Sequence, residues 1–158
     1  MTENELSRIV FDCALKVHQT LGPGLLESAY EECLFYELKK YGLDVQKQKA
    51  LPLVYEEVKL DVGYRIDIII ENKLIIEVKS VEALNDVHFA QLLTYLKLTN
   101  CKLGLLINFN VTLIKNGIKE LQIIFKTLAN IAYIFAHFAV KFYDSNNKHI
   151  RNRLIKTH

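Results

Sequence analysis

The stretch that decides the fold of this 158-residue chain is RIDIIIENKLIIEVK, residues 65–79. It predicts two apolar β-strands joined by a short polar turn around Asn72. Three charged side chains, Asp67, Glu77 and Lys79, lie within these apolar strands. Charges inside a hydrophobic hairpin are unfavourable unless they are paired or bind something, and like charges directly opposite each other destabilise a sheet. The pattern therefore indicates a function for these residues, and we expect them to hold a metal ion.

The length of the turn decides whether the two carboxylates face each other. Side chains alternate between the two faces of a strand, so a turn centred on Asn72 places Asp67 opposite Glu77 and Arg65 opposite Lys79. A two-residue turn would shift the register and move Asp67 and Glu77 to different faces. The metal-site interpretation therefore predicts an odd-length turn.

Two carboxylates with water suit a hard cation that takes few protein ligands, such as Mg²⁺, with Mn²⁺ as a substitute. Such an ion activates water and stabilises a phosphoryl transition state, and Lys79 would orient the attacking water or neutralise phosphate charge. The alternative is a solvent-exposed strand face, with ion pairs between Arg65 and Asp67 and between Glu77 and Lys79. The spacing alone does not separate these two interpretations.

The rest of the chain predicts a layered domain with a mixed central sheet. Helical spacing favours a first helix capped by Thr2, a second at residues 25–41 with Leu26 on its apolar face, and a third at about residues 86–98. Besides the two hairpin strands, strands are expected at residues 45–55, 58–60, 103–107 and 118–125, with a loop before the last. The order is α-α-β-β-β-β-α-β-β, typical of an α/β or α+β layered fold.

Composition and charge fit one globular domain followed by a different segment. The hydrophobic fraction is 51% and the charged fraction 24%, as in ordinary folded proteins. Residues 1–125 hold 14 Lys and Arg against 17 Asp and Glu, and residues 126–158 hold 6 against 1. We expect a domain over residues 1–125 and a C-terminal extension over residues 126–158, with one helix and a frayed basic end.

Cysteine spacing and hydropathy favour a cytoplasmic protein without a membrane partner. Cys13, Cys33 and Cys101 are far apart and have no CxxC spacing, which favours buried apolar residues in a reducing compartment over zinc ligands or disulfides. The N-terminal residues have no basic-then-apolar pattern of a secretory signal. The longest apolar stretch falls short of the roughly 20 residues that a membrane-spanning helix needs.

Four motifs give the chain a resemblance to a known group of enzymes, with Asp67 and the ExK residues counted separately. Asp67 followed by Glu77-Val78-Lys79 resembles the D…ExK pattern of the PD-(D/E)XK nuclease superfamily. Gln91 and Tyr95 resemble the QxxxY motif of its RecB-like branch, and residues 24–30, GLLESAY, resemble the motif that names the GxxExxY family. The resemblance covers about residues 5–120. It implies a restriction-endonuclease-like core, a divalent metal at Asp67 and Glu77, and a catalytic Lys79.

The accessory motifs also have physical interpretations. Glu27 becomes a third carboxylate for the metal if its helix face lies over the hairpin; otherwise it is a first-turn acid that the helix dipole favours. Tyr30 is expected to be a core residue whose hydroxyl is tethered. Gln91 and Tyr95 are spaced i, i+4 and project together, either towards the metal site or a phosphate, or into helix surface and core packing.

The function that the resemblance implies is metal-dependent hydrolysis of phosphodiester bonds in nucleic acid, with DNA as the expected substrate and Mg²⁺ as cofactor. The expected catalytic residues are Glu27, Asp67, Glu77, Lys79, Gln91 and Tyr95, of which Glu27, Asp67 and Glu77 hold the metal. One alternative is a non-catalytic nucleic-acid- or protein-binding module on the same fold, which the acidic balance of residues 1–125 favours. Another is a structural partner whose charged hairpin face is solvated.

Overall fold

The computed structural model describes residues 1–123, without the side chains of residues 53–55 and 59–63. The helices and strands, in chain order, are α1 Glu3–Leu21, α2 Glu27–Lys39, β1 Val45–Tyr55, β2 Val58–Ile70, β3 Leu74–Lys79, α3 Asp86–Thr99, β4 Leu103–Asn108, α4 Ile114–Gly117 and β5 Ile118–Gln122. The expected end of the last strand, residues 124–125, and the expected extension over residues 126–158 lie outside the described residues.

Three of these elements differ from the expectations. The strands expected at residues 58–60 and within the hairpin are one strand, β2, because its backbone pairs with β1 from Val58 to Ile70. The loop expected before the last strand contains a helical turn, α4. The second helix begins at Glu27, so Leu26 is its N-cap and is 78% exposed rather than part of the apolar face.

The end of α1 and the turn that follows it place the start of α2. The predicted capping box is confirmed, since the Thr2 hydroxyl accepts from the Glu5 backbone N–H and the Glu5 carboxylate accepts from the Thr2 backbone N–H. The helix ends at Gly22, which has a φ of 66° and donates its N–H to the His18 carbonyl at 2.8 Å. A positive φ favours glycine, because it has no Cβ to clash with the backbone.

The five strands form one mixed sheet in the order β1-β2-β3-β4-β5. The β3–β4 pair is parallel and the other three pairs are antiparallel. Ile68 pairs with Ile76, and Ile70 pairs with Leu74, which leaves a three-residue turn centred on Asn72. The mixed sheet and the odd-length turn are therefore confirmed.

The core lies on both faces of the sheet. Side chains of α1 and α2, such as Val10 and Leu34, pack on one face with Ile76. Side chains of α3, such as Leu92, pack on the other face with Ile75. Adjacent residues of β3 thus enter different cores, as the alternation of side chains along a strand requires.

The cysteines behave as apolar residues. Cys13 and Cys101 are buried, Cys33 is half-buried, and all three are free thiols. Burial, with a smaller contribution from the charge of Glu37, raises the pKa of Cys13 to about 11, so this thiol stays protonated. Within residues 1–123, no helix is long and apolar enough to cross a membrane.

Candidate active site

Glu77 is a buried carboxylate near the end of β3, with only 1% of its surface exposed. Its Oε1 accepts a hydrogen bond from Lys79 Nζ at 2.7 Å. Its Oε2 is buried and has no hydrogen-bond partner among the described residues. The alternative of a solvent-exposed strand face is therefore wrong at Glu77, although the ion pair that it expected with Lys79 is present.

Asp67 lies across the hairpin from Glu77. The last regular pair of β2 and β3 is Ile68 with Ile76, so Asp67 and Glu77 follow it by one residue on each strand without forming a regular pair themselves. The Asp67 Oδ2 accepts a hydrogen bond from the Val78 backbone N–H at 2.8 Å. Arg65 is exposed, and in the described part of the chain no ion pair joins it to Asp67. Asp67 therefore contacts β3 rather than its neighbour on the same strand.

The backbone around Asp67 is irregular on both β1 and β2. Gln48 lies opposite Asp67 and has a φ of 51°. Regular pairs of β1 and β2 flank these two residues on both sides, but the two residues themselves do not form one. Ile66 packs in the core beneath α3, whereas Ile68 packs in the core beneath α1 and α2. Residues two apart on a regular strand share a face. The two strands therefore change faces at the row that contains Gln48 and Asp67.

The start of α2 forms a cleft with this part of the sheet. Glu27 Oε1 accepts a hydrogen bond from the Ser80 backbone N–H at 3.0 Å. Both oxygens of Glu31 accept from Gln48 Nε2, each at 2.9 Å. These side chains and Asp67 line an open cleft of about 540 Å³. The helix that carries Glu27 thus lies beside the charged end of the hairpin, which is the condition on which its role at the metal site depends.

Burial and mutual repulsion shape the electrostatics of the site. Burial, followed by the charge of Asp67, raises the pKa of Glu77 to about 7. Burial also raises the pKa of Asp67, although the Val78 N–H and Lys79 oppose the shift. Burial acts to lower the pKa of Lys79, but the hydrogen bond to Glu77 and the surrounding carboxylates outweigh it, so this pKa lies above its ordinary value. Burial and mutual repulsion thus outweigh the favourable interaction of both carboxylates with Lys79, and both are harder to ionise than free carboxylates.

Gln91 and Tyr95 lie together on α3, one turn apart. Gln91 Nε2 donates a hydrogen bond to Tyr95 Oη at 2.8 Å. Burial raises the pKa of Tyr95, and the charges of Glu77 and Asp67 add to the shift. The tyrosine hydroxyl is thus within electrostatic reach of both carboxylates, from the side of the sheet that α3 covers.

Tyr30 is a fully buried residue of α2. Its hydroxyl donates to the Gly22 carbonyl at 2.6 Å and accepts from the Leu25 backbone N–H at 3.1 Å. Its ring stacks on Phe109, with 4.4 Å between the centroids and 6° between the planes. The prediction of a core tyrosine with a tethered hydroxyl is confirmed, and the tether fixes the loop that leads to Glu27.

Among the residues that line the cleft, sequence reasoning missed the polar side chains of Ser28, Glu31, Gln48 and Ser80. Glu31 follows Glu27 by one helical turn, a spacing that could have identified it. Gln48 gives no such signal, because its position depends on its left-handed backbone and on the pairing of β1 with β2. Ser80 follows directly after the ExK motif and could have been included with it.

The chemistry of Asp67 and Glu77 fits a hard cation, because carboxylate oxygens are the ligands that Mg²⁺ prefers and Glu77 Oε2 has no hydrogen-bond partner among residues 1–123. The same residues contain no group of three or more His, Cys, Asp and Glu side chains arranged to hold a metal ion. The two carboxylates would therefore serve an ion that keeps several water ligands.

A separate hollow of about 240 Å³ between α1 and α2 contains none of the expected site residues.

A family model of the PD-(D/E)XK nuclease superfamily matches residues 4–121, which is more than half of the chain. No curated protein and no solved structure matches the sequence. The mixed five-stranded sheet flanked by helices is consistent with the restriction-endonuclease-like fold of this superfamily. The chain therefore belongs to the PD-(D/E)XK nuclease superfamily.

Proposed function

We propose that this protein is a metal-dependent nuclease that hydrolyses phosphodiester bonds in nucleic acid, with DNA as its substrate and Mg²⁺ as its cofactor. Membership of the PD-(D/E)XK superfamily supports a nuclease-type function, and these nucleases typically depend on a divalent metal. Within the superfamily we assign the chain to the GxxExxY family and the RecB-like branch, on the basis of residues 24–30 and of Gln91 and Tyr95.

The observation that carries the proposal is the buried carboxylate of Glu77, which has one oxygen on Lys79 and the other without a partner in the described part of the chain. An unsatisfied buried acceptor destabilises a fold by about 1–3 kcal/mol, and by more when it is charged. A bound cation would remove this penalty. Asp67 supplies a second carboxylate across the hairpin, so we assign the ion to Asp67 and Glu77, with Mn²⁺ as a substitute.

Lys79 is the proposed positioning group for the attacking water. When bound, the ion would lower the pKa of water and offset the negative charge that develops on the phosphoryl group. The Lys79 ammonium is held by Glu77 Oε1 at 2.7 Å, so its place relative to the carboxylate is fixed before substrate binds. A preorganised cation at this place donates hydrogen bonds to water or to a phosphate oxygen at no reorganisation cost.

Glu27, Gln91 and Tyr95 complete the proposed catalytic set. We assign Glu27 as a third metal ligand through Oε2, because its Oε1 already accepts the Ser80 N–H. Within residues 1–123 Glu27 forms no ligand group with Asp67 and Glu77, so this role requires its side chain to move towards them when the ion binds. Gln91 and Tyr95 form a hydrogen-bonded pair on the opposite side of the sheet, and we assign them to the metal site or to a substrate phosphate.

The test is cleavage of single- and double-stranded DNA in the presence of Mg²⁺ or Mn²⁺. We expect Asp67→Asn and Lys79→Met to lose at least about 100-fold in kcat, the loss seen when one group that stabilises transition-state charge is removed. Lys73→Met is the matched control, because Lys73 lies on the exposed turn of the same hairpin. Cleavage by Asp67→Asn at the wild-type rate, or no cleavage of any nucleic acid by a metal-loaded wild type, would contradict the proposal.

A second candidate function is a non-catalytic nucleic-acid- or protein-binding module. The absence of a three-residue ligand cluster within residues 1–123 favours it, and the excess of acidic residues in that part of the chain favours a protein over a nucleic acid as its partner. Titration calorimetry with Mn²⁺ separates the two functions. Binding that Asp67→Asn abolishes supports the nuclease, whereas no metal binding together with DNA binding unaffected by Asp67→Asn supports the module.

Cytoplasmic localisation remains a prediction, and we propose it together with a nucleic-acid partner and no membrane partner. The free cysteines Cys13, Cys33 and Cys101 support it, because cytosolic thiols are kept reduced. Fractionation of cells that express the full chain tests it.

A further inference from the structure

The backbone that follows Lys79 is held from both sides, although β3 ends there. On the side of α2, the Ser80 N–H donates to Glu27 Oε1 and the Ser80 hydroxyl donates to the Leu25 carbonyl at 2.7 Å. On the side of β4, the Phe109 N–H donates to the Lys79 carbonyl at 2.8 Å. A strand end normally frays, because few backbone hydrogen bonds hold it. These contacts keep the end of β3 in one conformation.

Asn108 makes the contacts that extend furthest along this segment. Asn108 is 2% exposed and stands at the last paired position between β4 and β3. Its Oδ1 accepts from the Val81 N–H at 3.1 Å and from the Asn110 N–H at 3.2 Å, and its Nδ2 donates to the Val81 carbonyl at 2.8 Å. The side-chain amide thus replaces the backbone partner that β4 no longer offers to Val81.

The place of Asn108 itself is set by close packing. A Cβ atom added to Gly117 would lie 2.1 Å from the Asn108 carbonyl oxygen, so the end of α4 lies directly against the backbone of Asn108. The next residue, Phe109, stacks on Tyr30 of α2. The amide therefore acts from a rigid point, which is what positioning a neighbouring segment requires.

We propose that Asn108 is a positioning residue for the active site: by holding Val81 it fixes the end of β3, and so it fixes Lys79 on Glu77. The effect of Asn108 on catalysis rests on the proposed function, whereas its effect on the position of Lys79 can be measured without any cleavage. Both halves of the amide are needed, since one accepts and the other donates. Aspartate retains the acceptor alone, and leucine retains neither.

The experiment compares Asn108→Leu and Asn108→Asp with His18→Leu in the full chain. His18 is the matched control, because it is also a buried polar residue and its Nε2 contacts the Val111 carbonyl at 2.7 Å, on the same connection between β4 and α4. It makes no hydrogen bond to the segment from Lys79 to Val81. Circular dichroism defines a temperature at which all variants are folded, and the measurements are made there.

The first measurement is the rate of reductive methylation of Lys79, followed by mass spectrometry. We expect about a tenfold faster rate in Asn108→Leu, the change expected when a locally held segment opens more often. We expect a smaller increase in Asn108→Asp and the wild-type rate in His18→Leu. Equal rates in wild type and Asn108→Leu, or the same increase in His18→Leu, would overturn the positioning role.

The second measurement is the cleavage of DNA with Mg²⁺. We expect Asn108→Leu to lower kcat by roughly 10- to 100-fold with little change in KM, since small displacements of a catalytic group are this costly. Asn108→Asp should recover part of kcat, and His18→Leu should retain it. If the wild type does not cleave, the proposed function fails while methylation of Lys79 still decides the positioning role. If the wild type cleaves and Asn108→Leu retains kcat, the positioning role fails and the proposed function stands.

Discussion

The two halves of the β2–β3 hairpin differ in both backbone pairing and chemistry. Next to the turn, residues 68–70 pair with residues 74–76, and all six are apolar and between 0% and 2% exposed. One step further from the turn lie Asp67 and Glu77, and Glu77 is as buried as its apolar neighbours. The apolar half stabilises the fold and fixes the register, and that register carries the carboxylates to their place. The charged half depends on contacts from elsewhere, such as Lys79 and the Val78 N–H.

The largest expected effect comes from extending the charge into the apolar half. Ile76→Glu places a carboxylate at a position that is 0% exposed, where no lysine is two residues along the strand. We expect the free energy of unfolding to fall by at least about 4 kcal/mol, because an uncompensated buried charge is added to the loss of an apolar side chain. Urea denaturation measures the change.

The control for this prediction is Ile76→Ala, which removes the side chain without adding a charge. A buried Ile→Ala substitution destabilises by roughly 2–5 kcal/mol. If Ile76→Glu is no less stable than Ile76→Ala, the two halves of the hairpin tolerate charge equally, and the contrast between them is wrong.

The next largest effect is on the pH dependence of stability. Burial raises the pKa of Glu77 from 4.5 to about 7 in the folded state. Between these values the folded protein keeps a proton that the unfolded chain releases, so the free energy of unfolding falls as the pH rises through this window. The decrease expected from Glu77 is on the order of 3 kcal/mol, and Glu77→Gln should remove it. Urea denaturation with EDTA, at several pH values across the window, measures both.

Glu120→Gln is the control for Glu77, because Glu120 is an exposed residue of β5. It should leave the pH dependence unchanged. A Glu77→Gln variant with the same decrease as the wild type would assign the proton to another group, such as Asp67, whose pKa burial also raises. Saturating Mg²⁺ should oppose the decrease at neutral pH, since an ion that binds only the folded state stabilises it.

The smallest expected effect concerns the pair that lies beside the charged half on α3. Gln91→Leu removes the hydrogen bond from the half-buried Gln91 to Tyr95, which is 3% exposed. We expect a loss of about 0.5–1.5 kcal/mol, the typical net contribution of one such bond. A double-mutant cycle with Tyr95→Phe in urea denaturation isolates the pair. A coupling energy well above this range would make the pair a structural element of the core.

Several features of the candidate site could be predicted because they depend on local spacing. The odd-length turn at Asn72 followed from the need to place Asp67 opposite Glu77. The contact between Gln91 and Tyr95 followed from the i, i+4 spacing on a helix. Each of these involves residues within one hairpin or one helix.

Other features depend on segments far apart in the chain, and no local pattern indicates them. Gln48 has a φ of 51° within β1, and nothing in the sequence around it marks this left-handed backbone. Its side chain reaches Glu31 from this conformation. Leu26 was expected on an apolar helix face, but the helix begins at Glu27, one residue after Leu26, and leaves Leu26 exposed. Asn108 lies just beyond the strand expected at residues 103–107, and its role follows only from the backbone of Val81 beside it.

The sequence by itself determined the hairpin and its odd-length turn, because these follow from side chains a few positions apart on a backbone that is regular as far as Ile68 and Ile76. It did not determine whether the strand face of Glu77 met water or protein. Only the tertiary structure decided this, by packing helices on both faces of the sheet and leaving Glu77 1% exposed. Burial depends on which segments pack over a residue, and here these segments are helices that lie outside the hairpin. That cover makes Glu77 a buried carboxylate with a raised pKa, and so a candidate for catalysis.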